Sequence, residues 1–268
     1  MLLGSMIKAV FFDIDGTLVP IGSGGIPDTT KLALRMLRES GIKVFISSGR
    51  HPAWINNLED ETFDGYVTTN GALCLLGDKK SVVYMRTIET SDVDNLVKFV
   101  HSSDIPFVVV PAEGDLFTTD KDENFMTVTR LLRTPEVPIR AIEDAVGRNV
   151  VQMMVFAPKE EIDEIGLFTK VLPHCSGTSW SPYFADIVPE GSDKSVGIDK
   201  MLDYFGIDLS ESMAFGDGEN DMGMLRHVAV GVAMGNASDE VKAVADHVTT
   251  DVTADGVMNA LKNLGVIK

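Results

Sequence analysis

Cysteine is scarce in this chain: Cys74 and Cys175 are the only two. They stand in no metal-type or redox-type spacing, which excludes a disulfide framework or a thiolate metal site and reads as free thiols in a reducing compartment. Basic residues are also in deficit, with 23 Lys and Arg against 40 Asp and Glu for a net charge of −17. Such a balance repels phosphate backbones and anionic lipid, and leaves room only for a local basic pocket holding one small anion. Long apolar runs are missing too. None approaches the roughly 18 residues of a membrane span, and the opening Met1–Lys8 is far too short for a signal peptide. The expectation is a cytoplasmic protein that binds neither nucleic acid nor membrane. Internal repeats and low-complexity tracts are likewise absent. Gly4–Met6 reads equally as a native start or a cloning remnant, so residues 1–5 carry no weight in the fold reading.

What is present is an ordinary globular mix, 44% hydrophobic and 24% charged, in a chain of 268 residues that suffices for two moderate domains. The stretch KAVFFDIDGTLVP, Lys8–Pro20, holds an apolar run that stops at two aspartates. Ala9–Phe12 shows no alternation, which suits a strand covered on both faces in a parallel sheet. Residues two apart on a strand point the same way, so Asp13 and Asp15 are expected to converge on the crevice beyond the strand's carboxyl end.

A helix opened by Asp28 as N-cap and stopped at Gly41 follows, then a second apolar strand, Ile42–Ser47. Strand, helix, strand with short links is the pattern of parallel βαβ units. Asn70-Gly71 and Gly77-Asp78 then mark hairpin-type turns. From about Ser81 to Pro189 the pattern is α+β: helices near Ser91–His101 and Lys159–Val171, strands near Phe107–Val110 and Val150–Phe156. From Lys194 the alternation returns, with a helix to Tyr204, strand Met213–Phe215, helix Asp221–Leu225, strand Val228–Gly231, helix Ser238–Ala245 and strand His247–Thr249. The fold expected is α/β, a doubly wound Rossmann-like core of residues 1–80 plus 190–268 interrupted by an inserted domain, 81–189.

A second acidic cluster sits in MAFGDGENDMGML, where another apolar strand ends in a turn bearing Asp217 and Asp221. Acids delivered by two strands to one sheet edge repel one another, and a hard cation with oxygen ligands is their natural neutraliser; Mg²⁺ suits a few carboxylates plus substrate phosphate. A calcium loop starting at Asp217 fails, because its twelfth position is Val228 and its sixth is not glycine. FISSGRHPAW places Ser47, Ser48 and Gly49 between a strand and an expected helix, where a hydroxyl and free amides can hold phosphate. Lys194 opens a helix and offers a point charge, although a lone lysine is ordinarily a solvated surface residue. GVAMGNA, 231–237, lacks the spacing of a dinucleotide loop.

In order, DIDGT, SSGR, the lysine of GSDKSVGIDKM and GDGENDMGML resemble the four motifs of the haloacid dehalogenase-like (HAD) phosphohydrolases. The long separation before the lysine, NGA at 70–72 and GVAMGNA resemble the Cof-type subfamily of sugar phosphatases, whose α/β cap is inserted between the second and third motifs. The resemblance implies a Mg²⁺-dependent phosphoric monoester hydrolase. In it Asp13 is the nucleophile that forms an aspartyl-phosphate, and Asp15 protonates the leaving oxygen and then activates water. Ser48, Gly49 and Lys194 bind the phosphoryl group, with Asn220 beside them; Asp217, Asp13 and the carbonyl of Asp15 hold the metal; Asn220 and Asp221 support the metal and the lysine.

The implied substrates are small phosphate monoesters, above all hexose or pentose phosphates, handled by a monomer or weak homo-oligomer. A phosphomutase, a phosphatase of a phosphorylated cofactor such as pyridoxal phosphate, and a phosphate-sensing scaffold are the alternatives. Glu113, Gln152, Ser179 and Asp186 are candidate substrate contacts from the inserted domain. His51, His174, His247, Trp54, Met222 and Met224 read as structural.

Overall fold

The computed structural model describes residues 6–118, 130, 138–181 and 184–268, and of residues 179–181 and 184 only the backbone. The chain divides into two compact units, Met1–Tyr84 with Asp193–Lys268, and Met85–Ser192.

In chain order the first unit begins with β1 (Ala9–Phe12), the helix Asp28–Glu39, β2 (Lys43–Ser47), β3 (Gly65–Thr68), β4 (Leu73–Leu76) and β5 (Val82–Met85). The second unit contributes β6 (Phe107–Pro111), β7 (Leu116–Thr118), β8 (Ile139–Ala141), β9 (Val150–Val155), β10 (Cys175–Ser181) and β11 (Phe184–Pro189). The first unit resumes with the helix Lys194–Phe205, β12 (Ser212–Gly216), the helix Met222–His227, β13 (Val230–Ala233), β14 (His247–Val248) and the helix Gly256–Asn263.

The first unit's sheet runs β14-β13-β12-β1-β2-β3-β4-β5. It is parallel from β14 through β3, and β4 turns back antiparallel. This is the Rossmann-like core expected of the apolar, non-alternating strands. All four residues of β1 are fully buried, and the rings of Phe11 and Phe12 stack on Phe45 and Phe215 with centroids 4.7 and 4.9 Å apart. Burying each such ring contributes roughly 2–3 kcal/mol. The strand is therefore anchored on both faces, which fixes where its C-terminal loop begins.

The helix Asp28–Glu39 buries Thr30, Ala33, Leu34 and Leu37, the i, i+3, i+4, i+7 stripe of a one-sided helix. Its N-cap is Pro27, not Asp28, and no side chain caps it. Proline holds the extended φ of the cap position, and Asp28 falls in the first turn, where it still complements the helix dipole.

Other elements also differ from their sequence pattern. The apolar pattern over Lys159–Val171 is split: Gly166, left-handed at φ +65, ends the helix Lys159–Ile165, and the chain restarts as one wider turn, Leu167–Val171. Strand β13 starts at Val230, because Val228 still closes the preceding helix through its amide to Met224 O at 3.1 Å. The helix expected over Ser238–Ala245 is one turn, Asp239–Lys242, with Ser238 accepting from Val241 N.

The second unit is a six-stranded sheet, β10-β11-β9-β6-β7-β8. One face is covered by apolar side chains of the helices Thr90–Val100 and Lys159–Ile165, with Leu96 and Ile162 in one cluster with Val109, Met153 and Ile187. Alternation puts Gln152, Met154 and Asp186 on the opposite face, since Asp186 pairs with Met154. Gln152 is buried, and its Oε1 has no hydrogen-bond partner among the described residues. Glu113 is exposed in the turn after β6, and the side chain of Ser179 lies outside the described residues.

Candidate active site

The carboxyl ends of β1, β2 and β12 and the start of the helix Lys194–Phe205 carry the candidate site residues. Strand β1 ends at Phe12, so the alternation that would align Asp13 with Asp15 stops before either residue. Gly16, at φ +88, turns the chain. A Cβ there would lie 2.1 Å from Asp217 Oδ2, so only glycine lets the first loop approach the second acidic turn. The two aspartates consequently take different partners.

Asp13 is buried, and its Oδ1 accepts a hydrogen bond from Lys194 Nζ at 2.7 Å. Lys194 also donates to Asp221 Oδ1 at 2.5 Å. The lysine that sequence alone would leave on the surface is only 1% exposed. It is the first residue of its helix, and Asp193 before it is the N-cap, accepting from Ser195 N at 2.7 Å. Asp221 is committed on both oxygens, because Oδ2 accepts from the amides of Asp217 and Gly218 at 2.9 and 2.8 Å. Asp217 is held by Thr17 Oγ1 on one oxygen at 2.9 Å and by Asn236 Nδ2 on the other at 3.2 Å. Thr17 and Asn236 both lie within the quoted motifs, but spacing alone gives no sign of either contact.

Ligand atoms of Asp13, Asp217 and Asp221 lie within 4.8 Å of one another. Burial pushes the Asp13 carboxyl well up, with Lys194 pulling it back only in part. Burial and the neighbouring Asp221 raise Asp217 to about 7. For Lys194 burial acts downward, but the charges of Asp13 and Asp221 overcome it and hold the ammonium above its ordinary value. Three carboxylates facing one ammonium leave two negative charges unmatched, and a divalent cation with oxygen ligands fits that deficit. Asp221 is fixed by an ammonium and two backbone amides, whereas Asp13 takes one bond from Lys194 and Asp217 two from neutral side chains, so Asp13 and Asp217 are the carboxylates better placed to hold it.

Asp15 turns to Arg50, which the motif reading left without a role. Arg50 Nε and Nη2 donate to the two oxygens of Asp15, each at 2.7 Å, and Nη1 donates to Trp54 O at 2.9 Å. Ser48, at the end of β2, is buried and receives the amide of Arg50 on its Oγ at 3.2 Å. The element after Gly49 is not an α-helix but a single tight turn, Pro52–Trp54, capped by His51. An anion at Ser48 and Gly49 thus meets a hydroxyl and loop amides rather than a helix dipole. Asn220 donates to Asn70 Oδ1 at 3.0 Å.

Asn70 sits in a turn where Thr69, Asn70 and Gly71 are all left-handed, at φ +48, +50 and +90. That is costly for a β-branched threonine. Hydrogen bonds from Thr69 N to Arg50 O and from Asn70 N to Ser48 O, both 3.2 Å, tie the turn to the Ser48–Arg50 loop. A Cβ on Gly71 would lie 2.0 Å from Asp193 O, beside Lys194.

Residues 10–261 match the model of the haloacid dehalogenase-like hydrolases. The chain superposes with a TM-score of 0.89 on the HAD subclass IIB sugar phosphatase BT4131, at 39% identity over 97% of this chain and 100% of that one. On BT1666 of Bacteroides thetaiotaomicron, a phosphatase of the same superfamily, the TM-score is 0.87 at 32% identity, covering 98% of this chain and 96% of the other. The Bacillus subtilis 5-amino-6-(5-phospho-D-ribitylamino)uracil phosphatase YitU is 27% identical over 94% of this chain and 96% of its own. With three of its motifs at the ends of core strands and the lysine motif at the start of the helix Lys194–Phe205, the chain belongs to the haloacid dehalogenase-like hydrolases, in their Cof-type subfamily, and is a phosphoric monoester hydrolase.

Proposed function

We propose that the protein is a Mg²⁺-dependent phosphatase of small phosphate monoesters, above all sugar phosphates, working through an aspartyl-phosphate on Asp13. The observation that carries it is the buried Lys194, bonded to Asp13 within a cluster where ligand atoms of Asp13, Asp217 and Asp221 lie within 4.8 Å of one another. Asp13, Asp217 and the Asp15 carbonyl would hold Mg²⁺, which would supply the positive charge that lets a carboxylate approach a phosphate dianion.

An oxygen of Asp13 forms a bond to phosphorus as the bond to the ester oxygen breaks, and that oxygen takes a proton from the Asp15 carboxyl. Water then attacks phosphorus and gives its proton to Asp15 as the bond to Asp13 breaks, releasing phosphate and restoring both residues. Ser48 and Gly49 bind the phosphoryl oxygens, Lys194 neutralises charge, and Asn220 and Asp221 keep this frame in place.

The preference for sugars rests on the likeness to BT4131, which is 39% identical and named a sugar phosphatase. We assign selection among leaving groups to the second unit, with Gln152 and Asp186 as its candidate polar residues. A cytoplasmic location fits the composition, and among the described residues no helix is long and apolar enough to cross a membrane.

Phosphate release from a panel of hexose, pentose, nucleotide-precursor and pyridoxal phosphates, with and without Mg²⁺, tests the proposal. Highest kcat/KM on a sugar phosphate with Mg²⁺ is expected. A clear preference for a nucleotide precursor, as the name of YitU would suggest, would overturn the substrate class. Transfer of the phosphoryl group to sugar instead of water would make the protein a mutase.

A further inference from the structure

We propose that Arg50 is the positioning residue of proton transfer, holding the Asp15 carboxyl in the one orientation from which it serves both the leaving oxygen and the attacking water. The proposal rests on the phosphatase reading above. Its basis is geometric. The guanidinium grips both oxygens of Asp15 with two parallel bonds of 2.7 Å, the fork-to-fork geometry that fixes the plane of a carboxylate. It is itself held from a third side by Trp54 O at 2.9 Å. Arg50 is 5% exposed, whereas the Asp15 side chain is 24% exposed, so the arginine is a fixed anchor and the carboxyl faces outward. The backbone behind the guanidinium is pinned as well: its amide donates to Ser48 Oγ, and its carbonyl accepts from Thr69 in the left-handed turn.

Nothing of this kind restrains Asp15 from its own strand, because β1 has ended at Phe12 and the carboxyl lies three residues into a loop. Without the fork, Asp15 keeps its chemistry and loses its aim. A proton donor misdirected by about an ångström is a poor catalyst, and general acid–base catalysis is worth roughly 10²–10⁴-fold. A lysine carries the charge but cannot grip both oxygens.

The two half-reactions separate this role from a merely structural one. p-Nitrophenolate leaves as a stable anion and needs no proton, whereas the alkoxide of glycerol phosphate does. In Arg50→Gln, with Mg²⁺ and p-nitrophenyl phosphate, rapid mixing is expected to show a burst of p-nitrophenolate rising toward one equivalent per site. Turnover then slows by about 10²–10³-fold, because Asp13 is still phosphorylated but water is poorly activated. With glycerol phosphate, turnover falls by a similar factor and no phosphoenzyme accumulates. Arg50→Lys recovers part of both losses, and it supplies the same readout if Arg50→Gln does not fold. Equal losses on the two esters with no rise in burst amplitude would make Arg50 a structural staple and overturn the proposal, as would unchanged turnover. Failure of the unsubstituted enzyme to release phosphate from either ester would overturn the phosphatase reading, and this proposal with it.

Discussion

Lys194 Nζ donates to Asp13 Oδ1 at 2.7 Å across 181 positions of sequence. The ammonium and Asp221 are both fully buried, so removing the positive charge strands a negative one. Breaking a buried pair from one side costs about 3–5 kcal/mol. Lys194→Met is therefore expected to be destabilised by roughly 3 kcal/mol at neutral pH and to lose nearly all activity. Urea unfolding followed by circular dichroism checks it; a variant as stable as the parent would show that the buried charge is compensated elsewhere.

Gly71→Ala puts a Cβ where Asp193 O now stands, at a φ of +90. Asp193 is the N-cap that positions Lys194. The expected result is a stability loss of about 1–3 kcal/mol with kcat lowered more than KM is raised. Steady-state kinetics on a variant shown to be folded decides it, and an unchanged kcat would mean that the turn relaxes without moving Lys194.

Mg²⁺ binding is expected to be visible without turnover. A ligand that binds only the folded state at a hundred times its Kd stabilises by about 2.7 kcal/mol. Mg²⁺ should thus raise the melting temperature of the parent, and Asp217→Asn should abolish most of the rise. Chelation should remove activity, and Ca²⁺, which prefers more ligands at longer distance, should not restore it. An equal rise in the variant would place the ion elsewhere.

His174 gives the second unit a pH dependence. A hydrogen bond to Asp92 at 3.0 Å, with Glu89 and Glu190 nearby, raises the imidazole above its ordinary value. A base that binds its proton more tightly when folded adds stability that is complete below the ordinary value, about 6.5, and is lost as pH rises through the raised one. The urea midpoint should fall as pH rises above about 6.5 and through the raised value, and His174→Gln should flatten that slope. An unaltered slope would assign it to other groups.

The parallel core was legible because β1, β2 and β12 are apolar without alternation, and burial on both faces leaves few other folds for such runs. Boundaries were less so. Gly166 stops a helix whose apolar pattern continues past it, and Asp28 loses the cap to Pro27, since left-handed turns and proline geometry override periodicity. In the site, the motifs pointed to the buried Asp13, Lys194 and Asp221 and to the half-buried Asp217. Spacing could not show that Asp15 would leave its neighbour for Arg50, because the strand whose alternation would align the two aspartates ends one residue before the first.

The pairing of Ala9 with Ser212 joins residues about 200 positions apart. During synthesis at 5–20 residues per second, β1 waits roughly 10–40 s for that neighbour. Until then one of its edges has bare amides and carbonyls, beside side chains that are wholly apolar. The inserted unit, which carries its own apolar cluster, emerges complete in that interval. Native assembly is thus gated by the ribosome, and a temperature or mutation that slows the last strands would expose β1 to aggregation well before it affected the chemistry of the finished enzyme.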